Sequence, residues 1–150
     1  MMGNPVATIL PVQDQPLGSA TQTRAAERRT FIIADRLVTA TRPQSIQTES
    51  FRALRSTLLA QHLKAGRRSL VIAAPAPATG CSFVAANLAV VMAQASVNTL
   101  LIDGNLRAPD LHNYIEPATP CQGLADCLRN EDLPLGSVIQ QPMPSLSLLY

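Results

Sequence analysis

The stretch Pro75-Ala76-Pro77-Ala78-Thr79-Gly80-Cys81-Ser82-Phe83 holds two of the residue types that phosphate chemistry requires. Glycine lets backbone amides converge on a phosphate, a lysine neutralises its outer oxygens, and a Ser or Thr hydroxyl reaches magnesium. Gly80 and Ser82 supply the first and the third. The lysine is missing: position 81 is Cys, and Lys64, the single lysine of the chain, lies well before the loop. Two unit charges 4 Å apart interact by about 4 kcal/mol at an effective dielectric of 20, so its loss removes roughly three decades of affinity. If position 78 requires a left-handed backbone, Ala78 adds a strain of about 1 to 2 kcal/mol. Asp103, closing a second apolar run, is a carboxylate suited either to magnesium or to a structural role, and Ser82 is either a magnesium hydroxyl or a helix cap. Cys81 at a helix start fits a small apolar filler better than a redox-sensitive thiol. Glu49, Arg52 and Arg55, three residues apart, are neighbours on a helix surface, and their simplest role is an ion-paired solvated face.

These residues need elements to position them. Pro43 restricts Arg42 and Ser45 can cap a helix, and from Ile46 to about Leu63 the residues Phe51, Leu54, Leu58, Leu59 and Leu63 recur at helical spacing until Gly66 ends the run. Ser69 to Ala74 reads as a strand buried on both faces, Cys81 to about Ala95 as a helix apolar nearly all round, and Thr99 to Asp103 as a second buried strand. Strand, loop, helix, strand within about 35 residues is a βαβ unit. The fold class expected is therefore α/β, with a parallel sheet and its ligand off the carboxyl ends of the strands, where residues 75–82 and 103–107 lie. Gly123 to Leu128 and Asp132 to Gln140 read as shorter helices. Leu146 to Tyr150 reads as a third strand with an exposed apolar edge, which leads to the expectation of further sequence downstream. Residues 1 to about 27, with Pro5, Pro11, Pro16 and many Gln and Thr, have no period to bury, and a short apolar piece follows at Phe31-Ile32-Ile33. The expected division is a flexible arm over 1–41 and a folded domain over 42–150.

Composition narrows the functions. With 150 residues there is room for one ordinary domain, and 47% hydrophobic content excludes a disordered chain. The 3% aromatic content, without Trp, leaves little for stacking bases, so nucleic acid is not an expected partner. Residues 1–68 carry ten basic and four acidic side chains and residues 69–150 two and six, a polarity of +6 against −4. No apolar run approaches the roughly 20 residues of a membrane span. Cys81, Cys121 and Cys127, with His62 and His112, lack zinc spacing and point to a reducing cytoplasm.

The loop with its flanks resembles the bacterial tyrosine kinase family of capsular and exopolysaccharide assembly, relatives of the P-loop ATPases. Glu49-Ser50-Phe51-Arg52-Ala53-Leu54-Arg55 fits the family's E-x-x-R-x-x-R helix, Ala85-Ala86-Asn87-Leu88-Ala89 its helix behind the P-loop, and Leu100 to Pro109 its second nucleotide motif. Gly123-Leu124-Ala125-Asp126 falls at a similar turn, so the likeness runs from about Arg42 to Tyr150. The resemblance implies a P-loop NTPase-like three-layer α/β/α fold, incomplete at its C-terminus, with Ala78, Thr79, Gly80, Cys81, Ser82 and Phe83 at the nucleotide and Ser82 and Asp103 at magnesium, Asp103 also being the catalytic aspartate. It implies that Glu49, Arg52 and Arg55 join subunits into a homo-oligomer, and that the partner is an inner-membrane polysaccharide co-polymerase, the chain being cytoplasmic and peripheral to that membrane. The departures fall on catalytic positions: Cys81 for lysine, Ala78 for glycine, Asn105 for the second acidic residue. ATP and magnesium are thus expected to bind weakly, and the chain to act in polysaccharide assembly and chain-length control by oligomerising and binding a partner rather than as an enzyme. The alternative is an active tyrosine autokinase that borrows a cation from Arg107 or a neighbouring subunit.

Overall fold

The computed structural model describes residues 31–76 and 78–150, with the backbone of residues 5–11. Its strands are β1 (Pro5–Pro11), β2 (Phe31–Ile33), β3 (Leu70–Ala73), β4 (Thr99–Asp103), β5 (Ile115–Pro117), β6 (Gln140–Met143) and β7 (Leu146–Leu149). Its helices are α1 (Val38–Thr41), α2 (Ile46–Leu58), α3 (Cys81–Gln94), α4 (Leu124–Arg129) and α5 (Leu135–Val138), with a π turn at Leu59–Leu63 and a 3-10 turn at Leu111–Asn113. Ser45 caps α2 as its type predicts, its hydroxyl accepting from the Thr48 amide at 3.2 Å.

The core is built around α3. Residues Ala85 to Ala93 are all buried, which is why the helix has no polar face and why small residues recur in it. Phe51 and Leu58 of α2 pack from one side, and Leu101, Leu146 and Leu148 of the sheet belong to the same cluster. The larger sheet has the order β3-β1-β4-β7-β6, and β2 pairs with β5 in a separate two-stranded ribbon.

The protein is therefore α/β, but its sheet is mixed where a parallel one was expected. β4 and β7 run parallel, whereas β1 is antiparallel to both β3 and β4, and β6 to β7. β3 and β4 thus point the same way across one intervening strand. β3 stands at an edge and alternates, with Val71 61% exposed, so it is not buried on both faces as expected. β7, expected at an exposed edge, lies inside the sheet between β4 and β6. The helix expected over residues 132–140 is only Leu135–Val138, because Pro134 starts it late and Gln140 leaves to pair with Leu148. The folded unit also reaches back beyond residue 42: Leu37 and Thr39 are fully buried, and α1 is anchored on α3 by Thr39 N–H and Oγ1–H donating to Asn87 Oδ1, both at 3.0 Å. Of the expected arm, residues 1–4 and 12–30 lie outside the described residues.

Candidate functional site

The carboxyl ends of β3 and β4 open into a cleft of about 510 Å³, within the range of small-molecule sites. One wall is the loop before α3, contributing Ala74, Ala76, Ala78, Thr79, Gly80, Cys81 and Ser82. The opposite wall carries Asn105, Asp110 and Tyr114 from the segment after β4, and Arg36 from the turn before α1.

The loop is folded by local chemistry. Thr79 Oγ1 donates to the Ala76 carbonyl at 3.0 Å, and Gly80, at φ +89°, turns the chain into α3. Ala78 sits at φ +58°, the left-handed conformation that favours glycine. The N-cap is a glycine, so no side chain caps α3; helix geometry leaves the amides of Cys81, Ser82 and Phe83 without partners inside the helix, and the first helical bond is Val84 N–H to Gly80 O at 2.9 Å. Those amides and the helix dipole make this end of the cleft receptive to an anion. The Cys81 sulfur lies 4.0 Å from Thr79 Oγ1.

Asp103 is engaged by the loop that follows it. It is 5% exposed; its Oδ1 accepts from the Asn105 amide at 3.1 Å, and its Oδ2 from the amides of Asp110 and Leu111 at 2.8 and 3.0 Å. A single carboxylate thereby closes the loop that follows β4, and it does not line the cleft. Asn105 tightens the same loop, donating to Ala108 O at 2.7 Å and accepting from Ala108 N–H at 3.2 Å.

Of the residues expected at a nucleotide, Ala78, Thr79, Gly80, Cys81 and Ser82 come together in the cleft, and Phe83 does not: its ring packs edge-on against Phe51, centroids 5.7 Å apart. Arg107 is exposed and outside the lining. Two residues not anticipated at the site face the loop. Tyr114, 6% exposed, carries the Arg36 guanidinium 5.2 Å from its ring centroid. Burial pushes the Tyr114 hydroxyl above its ordinary pKa; the Arg36 hydrogen bond works against this and the Asp110 charge with it. Tyr114 follows Asp110 closely in a segment without apolar period, and Arg36 sits where no motif marks it, so neither announced its place.

The charged triplet on α2 is not one stripe. Each three-residue step falls about 60° short of a full turn, so the row winds from solvent toward α3. Glu49 is exposed and pairs with Arg52 on its own helix. Arg55 turns inward, donating to the Val91 carbonyl at 3.2 Å, and its Nε is buried without a partner. Ile46, 85% exposed, and Leu54, 39% exposed, lie on the outer side of the helix.

Among the described residues no group of His, Cys, Asp and Glu could hold a metal ion, and no helix is long and apolar enough to cross a membrane. No protein-family model and no solved structure matches the chain. Curated proteins do. CapB of Staphylococcus aureus, which bears a tyrosine-protein kinase name, is 33% identical over 108 residues, 72% of this chain and 47% of CapB. Tyrosine-protein kinase YwqD of Bacillus subtilis is 37% identical over 76 residues, 51% of this chain and 32% of YwqD. The succinoglycan biosynthesis transport protein ExoP of Rhizobium meliloti is 38% identical over 102 residues, 66% of this chain and 13% of ExoP. The chain thus spans about half the length of CapB and less of the other two. On these likenesses the chain belongs to the bacterial tyrosine-protein kinase family.

Proposed function

We propose that this chain is a degenerate kinase-like subunit of capsule or exopolysaccharide assembly, acting by self-association and partner binding rather than by phosphoryl transfer. The observation that carries it is the start of α3, where Gly80 turns the chain and the first amides have no partner inside the helix, yet the sequence of residues 74–82 holds no Lys or Arg. Phosphoryl transfer rests on stabilising the charge of the transferring group, and a cradle without lysine, beside an Asp103 already engaged by three amides, is poor at it. ATP with magnesium is therefore a weak ligand of this cleft. The three-layer P-loop arrangement belongs to this reading, as do a cytoplasmic location at the inner membrane and a polysaccharide co-polymerase as the partner that holds the chain there. The active autokinase is the second reading, and Arg36 in the cleft is the observation that favours it.

Self-association is assigned to the outer side of α2, where Ile46 and Leu54 are exposed beside the Glu49–Arg52 pair. Arg55 is held by α3 and is unsuited to a test, because reversing it would set a carboxylate against the Val91 carbonyl. Arg52→Glu leaves that anchor alone. The expected outcome is a lower mass by light scattering with unchanged far-UV circular dichroism; an interface charge pair that loses one partner costs about 2 to 5 kcal/mol, an exposed pair about 1 or less. An unaltered mass would make Glu49 and Arg52 a solvated pair and overturn the assembly role of this face.

A further inference from the structure

We propose that two copies of this chain join head to tail, the acidic turn between α4 and α5 of one copy docking on a basic-rimmed apolar pocket at the amino ends of β3 and β4 of the next. This rests on the reading of the chain as self-associating, and it places a second contact away from the outer side of α2.

The pocket lies at the end of the sheet remote from the cleft and has a volume of about 40 Å³. Leu58, Leu63, Leu70, Met92 and Val97 line it. Leu58 and Leu63 are five residues apart, and at about 100° per residue an ordinary α-helix would turn them to different faces. The π turn, in which Lys64 N–H donates to Leu59 O at 3.4 Å, widens the helix so that both reach one wall. The space holds a few water-sized groups, which suits a single aliphatic side chain.

The rim of this pocket is cationic. Arg67 and Arg68 line it and are exposed, Arg67 Nη1 donates to His62 Nδ1 at 3.2 Å, and Lys64, which follows the π turn, is exposed. No acidic residue lines the pocket, and the ion pairs among the described residues are Glu49–Arg52 and Asp126–Arg129. An apolar floor beneath unpaired cations fits an apolar side chain that arrives with carboxylates beside it.

This chain holds such a segment. Leu128 near the end of α4 is 63% exposed, and Leu135 at the start of α5 is 47% exposed. Between them Glu131 and Asp132 are exposed and in no ion pair among the described residues. Within one chain this turn does not meet the pocket. Leu124 N–H at the start of α4 donates to the Tyr150 carbonyl, past the end of β7, and α5 leads into β6, the edge strand opposite β3. β7 runs parallel to β4, so the turn belongs to the cleft end of the sheet, and β6 stands four strand spacings from β3, about 19 Å. Complementary patches on opposite ends of one molecule meet between copies, in a heterologous contact. The polarity of the sequence has the same sense, +6 over residues 1–68 against −4 over residues 69–150.

Sedimentation velocity of the full chain over a range of micromolar concentrations tests this with two double variants, Arg67→Glu with Arg68→Glu on the pocket side and Glu131→Lys with Asp132→Lys on the turn side. Each alone is expected to weaken self-association about ten- to hundredfold, and an equimolar mixture of the two to recover the wild-type mass, because each variant then meets its opposite charge. Leu128→Ser is expected to weaken it as well. The replaced residues are all exposed, so every variant should keep the wild-type melting temperature. Two weakened variants whose mixture does not recover would overturn the direct pairing. Wild-type mass in both double variants overturns this contact and leaves the α2 face standing, whereas a wild-type chain that stays monomeric overturns both. Binding to phosphatidylserine vesicles that Arg67→Glu with Arg68→Glu abolishes at unchanged mass would give these cations to a membrane surface and overturn the contact.

Discussion

At the scale of single residues, the loop before α3 concentrates its backbone strain at one alanine. Ala78 at φ +58° keeps the conformation of a glycine position without the glycine. Ala78→Gly should relieve about 1 to 2 kcal/mol of left-handed strain against roughly 0.5 to 1 kcal/mol of extra chain entropy. The expected outcome is a small rise in the urea midpoint, worth about 0.5 to 1 kcal/mol; a lowered midpoint would mean that the loop does not carry that strain. Asp103 shows why residue type alone underdetermines role. A carboxylate at the end of a buried strand suits a metal and suits a loop closure equally, and here it accepts from three backbone amides of its own loop. Cys81 lies where the lysine was expected and shares the cleft with Ser82, its sulfur 4.0 Å from the Thr79 hydroxyl.

At the scale of elements, α3 does two things at once: it fills the core and it positions the opposite wall. Asn87→Ala would strand the buried Thr39 amide and release the half-buried Arg36 carbonyl, and should cost about 2 to 4 kcal/mol by chemical denaturation. A loss below about 0.5 kcal/mol would show that α1 is not held through Asn87. The strands at Leu70–Ala73, Thr99–Asp103 and Leu146–Leu149 and the helices α2 and α3 were legible because each carries its apolar period in consecutive residues. Three parts were not. β1 is bounded by Pro5 and Pro11, which read as breakers, yet proline is tolerated at strand ends. β6, Gln140 to Met143, has two glutamines and a proline and no alternation to mark it. The cleft's far wall joins Arg36 to residues 105–114, a pairing made by tertiary packing and invisible in either segment. Gly123 is the opposite case: a Cβ there would collide with the Tyr150 carbonyl, so the turn that the family resemblance marks has a steric reason in this fold.

At the scale of the whole molecule, a mixed five-stranded sheet carries the loop and the Asp103 closure on two strands that point the same way, with β1 running backwards between them. That arrangement keeps both loops at one end and the cleft open. The same end has the first amides of α3, Ala78 in a left-handed conformation and, in the lining of the cleft, Arg36. On the proposed reading, this end is a nucleotide site that lacks the lysine of its loop. The outer side of α2, with Ile46 and Leu54 exposed, is the surface to which the proposal gives self-association. The most direct test is the affinity of the full chain for magnesium ATP by titration calorimetry, wild type beside Cys81→Lys. A degenerate cradle predicts millimolar binding for the wild type, about −4 kcal/mol, and a gain of up to roughly three decades when the lysine is restored. Micromolar binding by the wild type would contradict it.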